Sequence, residues 1–114
     1  MDRMLEQLKE YGADIDGAMG RFLGDVELYK TCFATFLKDE SFGKLGESLE
    51  QADYEKAFEH AHTLKGITGN MGLTPLYQVI CRMVEVLREK KCTGLQADYA
   101  EIVAQLNRLK ELQD

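Results

Sequence analysis

The sequence contains two histidines, His60 and His62, and their spacing limits the chemistry they could perform. A neutral imidazole can bind a metal ion or act as a nucleophile near neutral pH. In a helix, successive residues are about 100° apart, so these two side chains would point about 200° apart. They could share one metal ion only on a strand, where alternate residues lie on the same face. We therefore expect no metal site, and we interpret His60 as a boundary or surface residue.

The other histidine shares a helix face with a carboxylate, an ammonium group and two glycines. Glu59, His62, Lys65, Gly66 and Gly69 follow the i, i+3, i+4, i+7 spacing of one face. The simplest interpretation of His62 is an exposed helix histidine, and that of Lys65 is a solvated lysine. Gly69 could serve only to admit a neighbouring helix. Each glycine inside a helix costs roughly 0.5–1 kcal/mol relative to alanine, however, which indicates a need for space. An accessible imidazole next to cleared space and a cation favours phosphoryl transfer.

Motifs for nucleotide binding and hydrolysis are absent from the sequence. It has no G-x-x-x-x-G-K-[ST] loop, no G-x-G-x-x-G and no carboxylate cluster arranged for magnesium. The sequence also shows no serine or cysteine paired with an orienting base, so nothing in it indicates a hydrolase. We expect the chain to bind no cofactor, to take its phosphoryl group from another protein, and to act as a carrier rather than a stand-alone enzyme.

The elements that position this face are predicted to be helices throughout. Apolar residues recur at three and four positions, and no segment alternates with a period of two. We predict an all-α fold, an antiparallel four-helix bundle with short accessory N-terminal helices. The predicted segments are a helix over 2–11, a glycine-broken connector over 12–24 with one turn at 18–23, and helices over 25–38, 42–49, 54–71, 74–90 and 93–112.

Capping residues set the predicted ends of these helices. Asp25, Asp53 and Thr74 are suitable N-cap residues, and Pro75 suits the first helical position. The sequence Thr93-x-x-Gln96 is a possible capping box. Gly72 suits the left-handed position that ends the histidine helix.

Length and composition indicate one small domain over residues 1–114, with an accessory segment over about 1–24 and the bundle over about 25–112. The net charge of −6 disfavours nucleic acid and anionic membranes as partners. Three cysteines without a C-x-x-C pair indicate reduced thiols. No apolar run is long enough to span a membrane, and the charged start is unlike a signal peptide. We expect a cytoplasmic monomer.

The stretch 61–73, AHTLKGITGNMGL, resembles the signature of histidine phosphotransfer (HPt) domains, H-x-L-K-G followed by a glycine and G-L. The segments 12–18, 21–22 and 24–29 are also similar to bacterial members, so the resemblance covers roughly residues 12–110. It implies a helical bundle in which His62 accepts a phosphoryl group from a receiver-domain aspartate or a histidine kinase and passes it to another receiver. Lys65 would stabilise the phosphoryl charge, Gly66 would leave room for it and for the partner, and Gly69 would keep the face low.

The resemblance implies that the partners are response-regulator receivers, a hybrid sensor histidine kinase, or both, with Mg²⁺ held by the receiver. Phe58 and Glu59 are candidates for the partner surface, although Phe58 could equally be a core residue. Several family members turn a glutamine or glutamate from the next helix towards the phosphorylated ring. The aligned residue here is Val84, with Glu85 adjacent, so no such partner is assigned.

Two further interpretations keep the fold but change the role. The chain could be a module that docks receivers without accepting phosphate, although the intact His62, Lys65 and Gly66 argue against it. It could also be the phosphate-accepting domain of a larger hybrid kinase.

Overall fold

The computed structural model describes residues 2–112, which form seven α-helices and contain no strand. The all-α prediction is therefore confirmed for this part of the chain. The helices are α1 (Arg3–Tyr11), α2 (Ile15–Arg21), α3 (Val26–Leu37), α4 (Ser41–Glu50), α5 (Tyr54–Asn70), α6 (Thr74–Arg88) and α7 (Leu95–Glu111).

Aspartate side chains begin four of these helices. The carboxylates of Asp2, Asp14, Asp25 and Asp53 accept hydrogen bonds from backbone N–H groups in the first turns of α1, α2, α3 and α5. These N–H groups have no partner within the helix, so each cap supplies a missing acceptor. The predicted caps at Asp25 and Asp53 are confirmed. The Asp14 cap explains why a helix forms from residue 15, where the sequence predicted a connector with one turn from residue 18.

Two predicted caps are wrong. Leu73 is the N-cap of α6, and the Thr74 hydroxyl instead donates to the Gly72 carbonyl at 3.3 Å. The capping box at Thr93 does not form either, because Gly94 occupies the N-cap of α7 with φ +77°. In both places a backbone turn directs the chain into the helix without a side-chain cap.

Four helices close the bundle in a ring: α4 packs on α5, α5 on α6, α6 on α7, and α7 on α4. The sequence had counted 25–38 among its four long helices, whereas the shorter α4 completes this ring. The preceding α3 contacts α7 and buries Tyr29, Phe33 and Phe36. One hydrophobic core receives side chains from all seven helices.

The two N-terminal helices are part of this core rather than appendages to it. They bury Met4, Leu5, Leu8 and Ile15. The Asp14 N–H donates to the carbonyl of Gly72 at 2.8 Å, which ties the start of α2 to the turn between α5 and α6. Within residues 2–112, no helix combines the length and apolar character needed to cross a membrane.

Candidate functional site

Helix α5 is the rigid support of the candidate site. Its buried face carries Ala57, Ala61, Leu64 and Thr68, which pack into the core. The first of these spacings are i, i+4 and i+7, so the opposite face of the same helix must point outward. His62 lies on that outward face and is exposed.

Three contacts fix the C-terminal end of α5. Gly72, with φ +72°, lets the chain turn back so that its N–H bonds to the Gly69 carbonyl and the next N–H bonds to the Thr68 carbonyl. A β-carbon at this glycine would overlap the backbone of Asp14. The buried Tyr29 hydroxyl donates to the Met71 carbonyl at 2.8 Å. The predicted glycine end of the helix is thus confirmed.

The imidazole of His62 packs on a neighbouring aromatic ring and makes no hydrogen bond to any residue within 2–112. The centroids of the His62 and Phe58 rings are 5.7 Å apart, with 31° between the ring planes. Side chains on a helix lean towards its N-terminus, which explains why the imidazole lies on Phe58, one turn earlier. Both ring nitrogens are therefore available to an external group.

Lys65 and Gly66 lie one turn beyond the imidazole and border a shallow depression. The depression has a volume of about 460 Å³, and its lining residues are Arg21, His62, Lys65, Gly66, Gly69, Asn70 and Tyr77. Lys65 is half-buried and forms no ion pair with another residue of the described chain. A β-carbon at Gly66 would meet no atom within 4 Å, so no packing contact explains the glycine.

Gly69 differs from Gly66 because another helix covers it. A β-carbon there would lie 3.0 Å from Cε1 of Tyr77 on α6, which is tighter than an ordinary contact. This contact supports the alternative that Gly69 admits a neighbouring helix, while its role in keeping the face low stays a prediction. A hydrogen bond and an electrostatic interaction with Cys81 raise the pKa of the Tyr77 hydroxyl.

Arg21 reaches the depression from α2. Its Nε donates to the Asn70 carbonyl at 2.7 Å, and its Nη2 donates to the Gly69 carbonyl at 3.1 Å. A cation is favourable at a helix C-terminus because the last carbonyls point there unpaired. The sequence did not predict Arg21 as a site residue, because its contact with α5 arises only from tertiary packing.

On the other side of the imidazole, α5 and α6 enclose a groove of about 770 Å³. We call this the α5–α6 groove; its lining residues are Tyr54, Glu55, Phe58, Glu59, Leu87, Arg88 and Lys90. Phe58 is half-buried, so it is both a core neighbour and part of this surface. The guanidinium carbon of Arg88 lies 5.7 Å from the centre of the Phe58 ring. Tyr77 and Arg88 share a face of α6, since eleven residues complete about three turns.

Val84, the residue that the sequence resemblance aligns with a polar partner of the histidine, does not reach the surface. Val84 is fully buried in the core. The adjacent Glu85 is exposed, and its carboxylate accepts a hydrogen bond from Arg88 Nη1 at 2.8 Å.

His60, the second histidine, is half-buried. Within residues 2–112, no three His, Cys, Asp or Glu side chains are grouped to hold a metal ion.

This arrangement can present an unpartnered nucleophile on a fixed helix, beside open space and a cation. Comparison with known families finds that the Hpt domain model matches residues 2–114, almost the whole chain. No curated protein and no solved structure matches the chain.

Proposed function

Because the chain belongs to the Hpt domain family, whose members carry out histidine phosphotransfer in phosphorelays, we propose that His62 is the phosphoryl-accepting residue. It takes the group from a receiver aspartate or a histidine kinase and passes it to another receiver. The observation that carries the proposal is the exposed imidazole of His62 beside the open surface of Gly66.

In the proposed step, the unprotonated imidazole nitrogen attacks the phosphorus of a partner's aspartyl phosphate in line with the leaving oxygen. The new P–N bond forms as the P–O bond breaks, and the aspartate leaves as a carboxylate. The receiver supplies the Mg²⁺ for this step. This chain supplies position and charge: the α5 helix holds the imidazole, and the Lys65 ammonium interacts with the phosphoryl oxygens.

Open space around the imidazole is needed because reacting atoms must approach to about 3–3.5 Å in line. A partner's active site must therefore reach the surface of α5 itself. The bare Gly66 backbone allows this approach one turn from the nucleophile, where any other residue would place a side chain.

The test is transfer of labelled phosphate from a phosphorylated receiver to the purified chain. We expect the wild type to gain phosphate that is stable in base and lost in acid, as a P–N bond requires. His62→Gln should gain none. His60→Gln is the matched control, and it should accept phosphate as the wild type does.

Other results would contradict the proposal or favour one of the alternatives to it. Phosphate on the His62→Gln variant, or its loss in His60→Gln alone, would place the acceptor elsewhere. Receiver binding by both the wild type and His62→Ala, with transfer to neither, would favour a docking module. Transfer from a receiver within a hybrid kinase, and from no separate receiver, would favour the phosphate-accepting domain of such a kinase.

A further inference from the structure

Arg88 and His62 both pack on the ring of Phe58. Its guanidinium carbon is 5.7 Å from the Phe58 ring centre, and the His62 imidazole is 5.7 Å from the same centre. The guanidinium carbon and the centre of the imidazole are therefore separated by at most twice this distance. The cation–aromatic contact favours a guanidinium that leans towards α5, although the side chain stays half exposed.

The register of the two helices explains why Arg88 reaches the same ring as His62. α5 and α6 run antiparallel, with Gly69 against Tyr77 near their joining turn and Phe58 against Arg88 at the far end. His62 lies between these two contacts, across from the turn of α6 that precedes Arg88. Because its side chain leans towards Phe58, the imidazole faces the Arg88 end of α6.

Carboxylates dominate the other charges around this end of the imidazole. Glu55 and Glu59 line the α5–α6 groove, and Glu85 is the exposed residue of the turn opposite. A phosphoryl group carries about −1.5 to −2 charges near pH 7, so these groups repel it. Lys65 approaches from the opposite side of His62, whereas Arg88 and Lys90 both line the groove on this side. Of these two cations, Arg88 is the one that contacts an aromatic ring of α5.

Arg88 is bound to Glu85, but by an interaction that is easy to exchange. Both side chains are about half exposed, at 49% and 56%. Ion pairs of this kind contribute little because water and salt screen them. A phosphoryl group offers three strong acceptor oxygens, and the planar guanidinium can donate to two of them together.

We propose that Arg88 exchanges partners: it pairs with Glu85 while His62 is unmodified and binds the phosphoryl oxygens once His62 is phosphorylated. Glu85 competes with the phosphoryl group for the same cation. The pair thereby sets how long the phosphoryl group persists on the chain. The inference rests on the proposed role of His62.

The test does not depend on a protein partner. Phosphoramidate, a small-molecule donor, phosphorylates imidazole directly: the P–N bond to the ring forms as the bond to the amino group breaks, and ammonia leaves. All variants are made in the His60→Gln background, so that His62 is the sole imidazole. The half-life of the phosphoryl group and its ³¹P titration midpoint are then measured.

We expect Arg88→Gln to shorten the half-life about fivefold, which corresponds to about 1 kcal/mol, the upper range for an exposed charge pair. It should also raise the ³¹P midpoint, because a nearby cation favours the dianion. Glu85→Gln should lengthen the half-life about twofold and lower the midpoint, since it releases the cation. A role of Arg88 in folding alone would not move the ³¹P midpoint.

A second ion pair, near the C-terminal end of α6, supplies matched controls. Lys91 pairs with Glu89 at 3.2 Å just beyond α6 and does not line the α5–α6 groove. Lys91→Gln and Glu89→Gln should leave half-life and midpoint unchanged. Equal behaviour of Arg88→Gln and Lys91→Gln, or a shortened half-life in Glu85→Gln, would overturn the inference. Failure of receiver transfer with the Arg88 effect intact would refute only the proposed relay.

Discussion

Replacing Gly66 by alanine should make the protein more stable and less able to transfer phosphate. The added methyl group would have no heavy atom within 4 Å, so it strains nothing. Alanine in place of an exposed glycine inside a helix stabilises by about 0.5–1 kcal/mol. For a domain of this size we expect the Tm to rise by about 2–5 °C.

The same methyl group should hinder the partner. It would stand one turn beyond His62 on the face that a receiver's active site must approach. A displacement of about 1 Å in a transfer complex can cost about 100-fold, so we expect transfer to slow by at least about tenfold. Thermal unfolding and the initial rate of phosphate transfer, measured on the same preparation, check both parts.

Gly43 offers a matched control. It lies in α4, and its added β-carbon would also meet nothing within 4 Å. Gly43→Ala should therefore stabilise without slowing transfer. If Gly66→Ala transferred phosphate at the wild-type rate, the glycine would not serve partner access. If it lowered the Tm, the surface at Gly66 would not be open, and the reasoning would fail at its first step.

Other substitutions test the supports of the site. Gly46→Ala should lower the free energy of unfolding by about 1–3 kcal/mol in urea titration, because the new β-carbon would overlap the ring of Tyr99. A hydrogen bond from the Tyr99 hydroxyl to the Phe42 carbonyl of α4 holds this ring in place. Full stability would show that the ring moves freely. Tyr29→Phe should cost about 1–2 kcal/mol in the same assay, since it leaves the buried Met71 carbonyl without a donor; a change below about 0.5 kcal/mol would contradict this.

Sequence reasoning succeeded where the information is local. The three-and-four spacing located the long helices, and aspartates marked the starts of α3 and α5. It failed at Thr74 and Thr93, because a suitable cap residue does not determine where a helix begins. The residue at which a helix begins depends on which carbonyls the preceding turn presents. In both of these places the preceding turn contains a glycine.

The residues of the candidate site also divide into those that local spacing could indicate and those that only packing brings together. His62, Lys65 and Gly66 share one helix, so helical phase alone placed them on one face. Arg21 and Arg88 reach the surroundings of His62 from α2 and α6, and no spacing within α5 could indicate them. Their contribution depends on the register between helices, which packing determines.

The ties between the N-terminal helices and the end of α5 also bear on the order of folding. Arg21 and Asn70 are 49 residues apart in sequence, whereas α5 and α6 are joined by a short turn. Closing a long loop costs more chain entropy than closing a short one, so the α5–α6 hairpin should form before α1 and α2 dock on it. In the native protein, the reverse step is release of these two helices as a unit. Amide hydrogens of the last turn of α5 should then exchange with solvent through this partial opening, faster than those beneath His62.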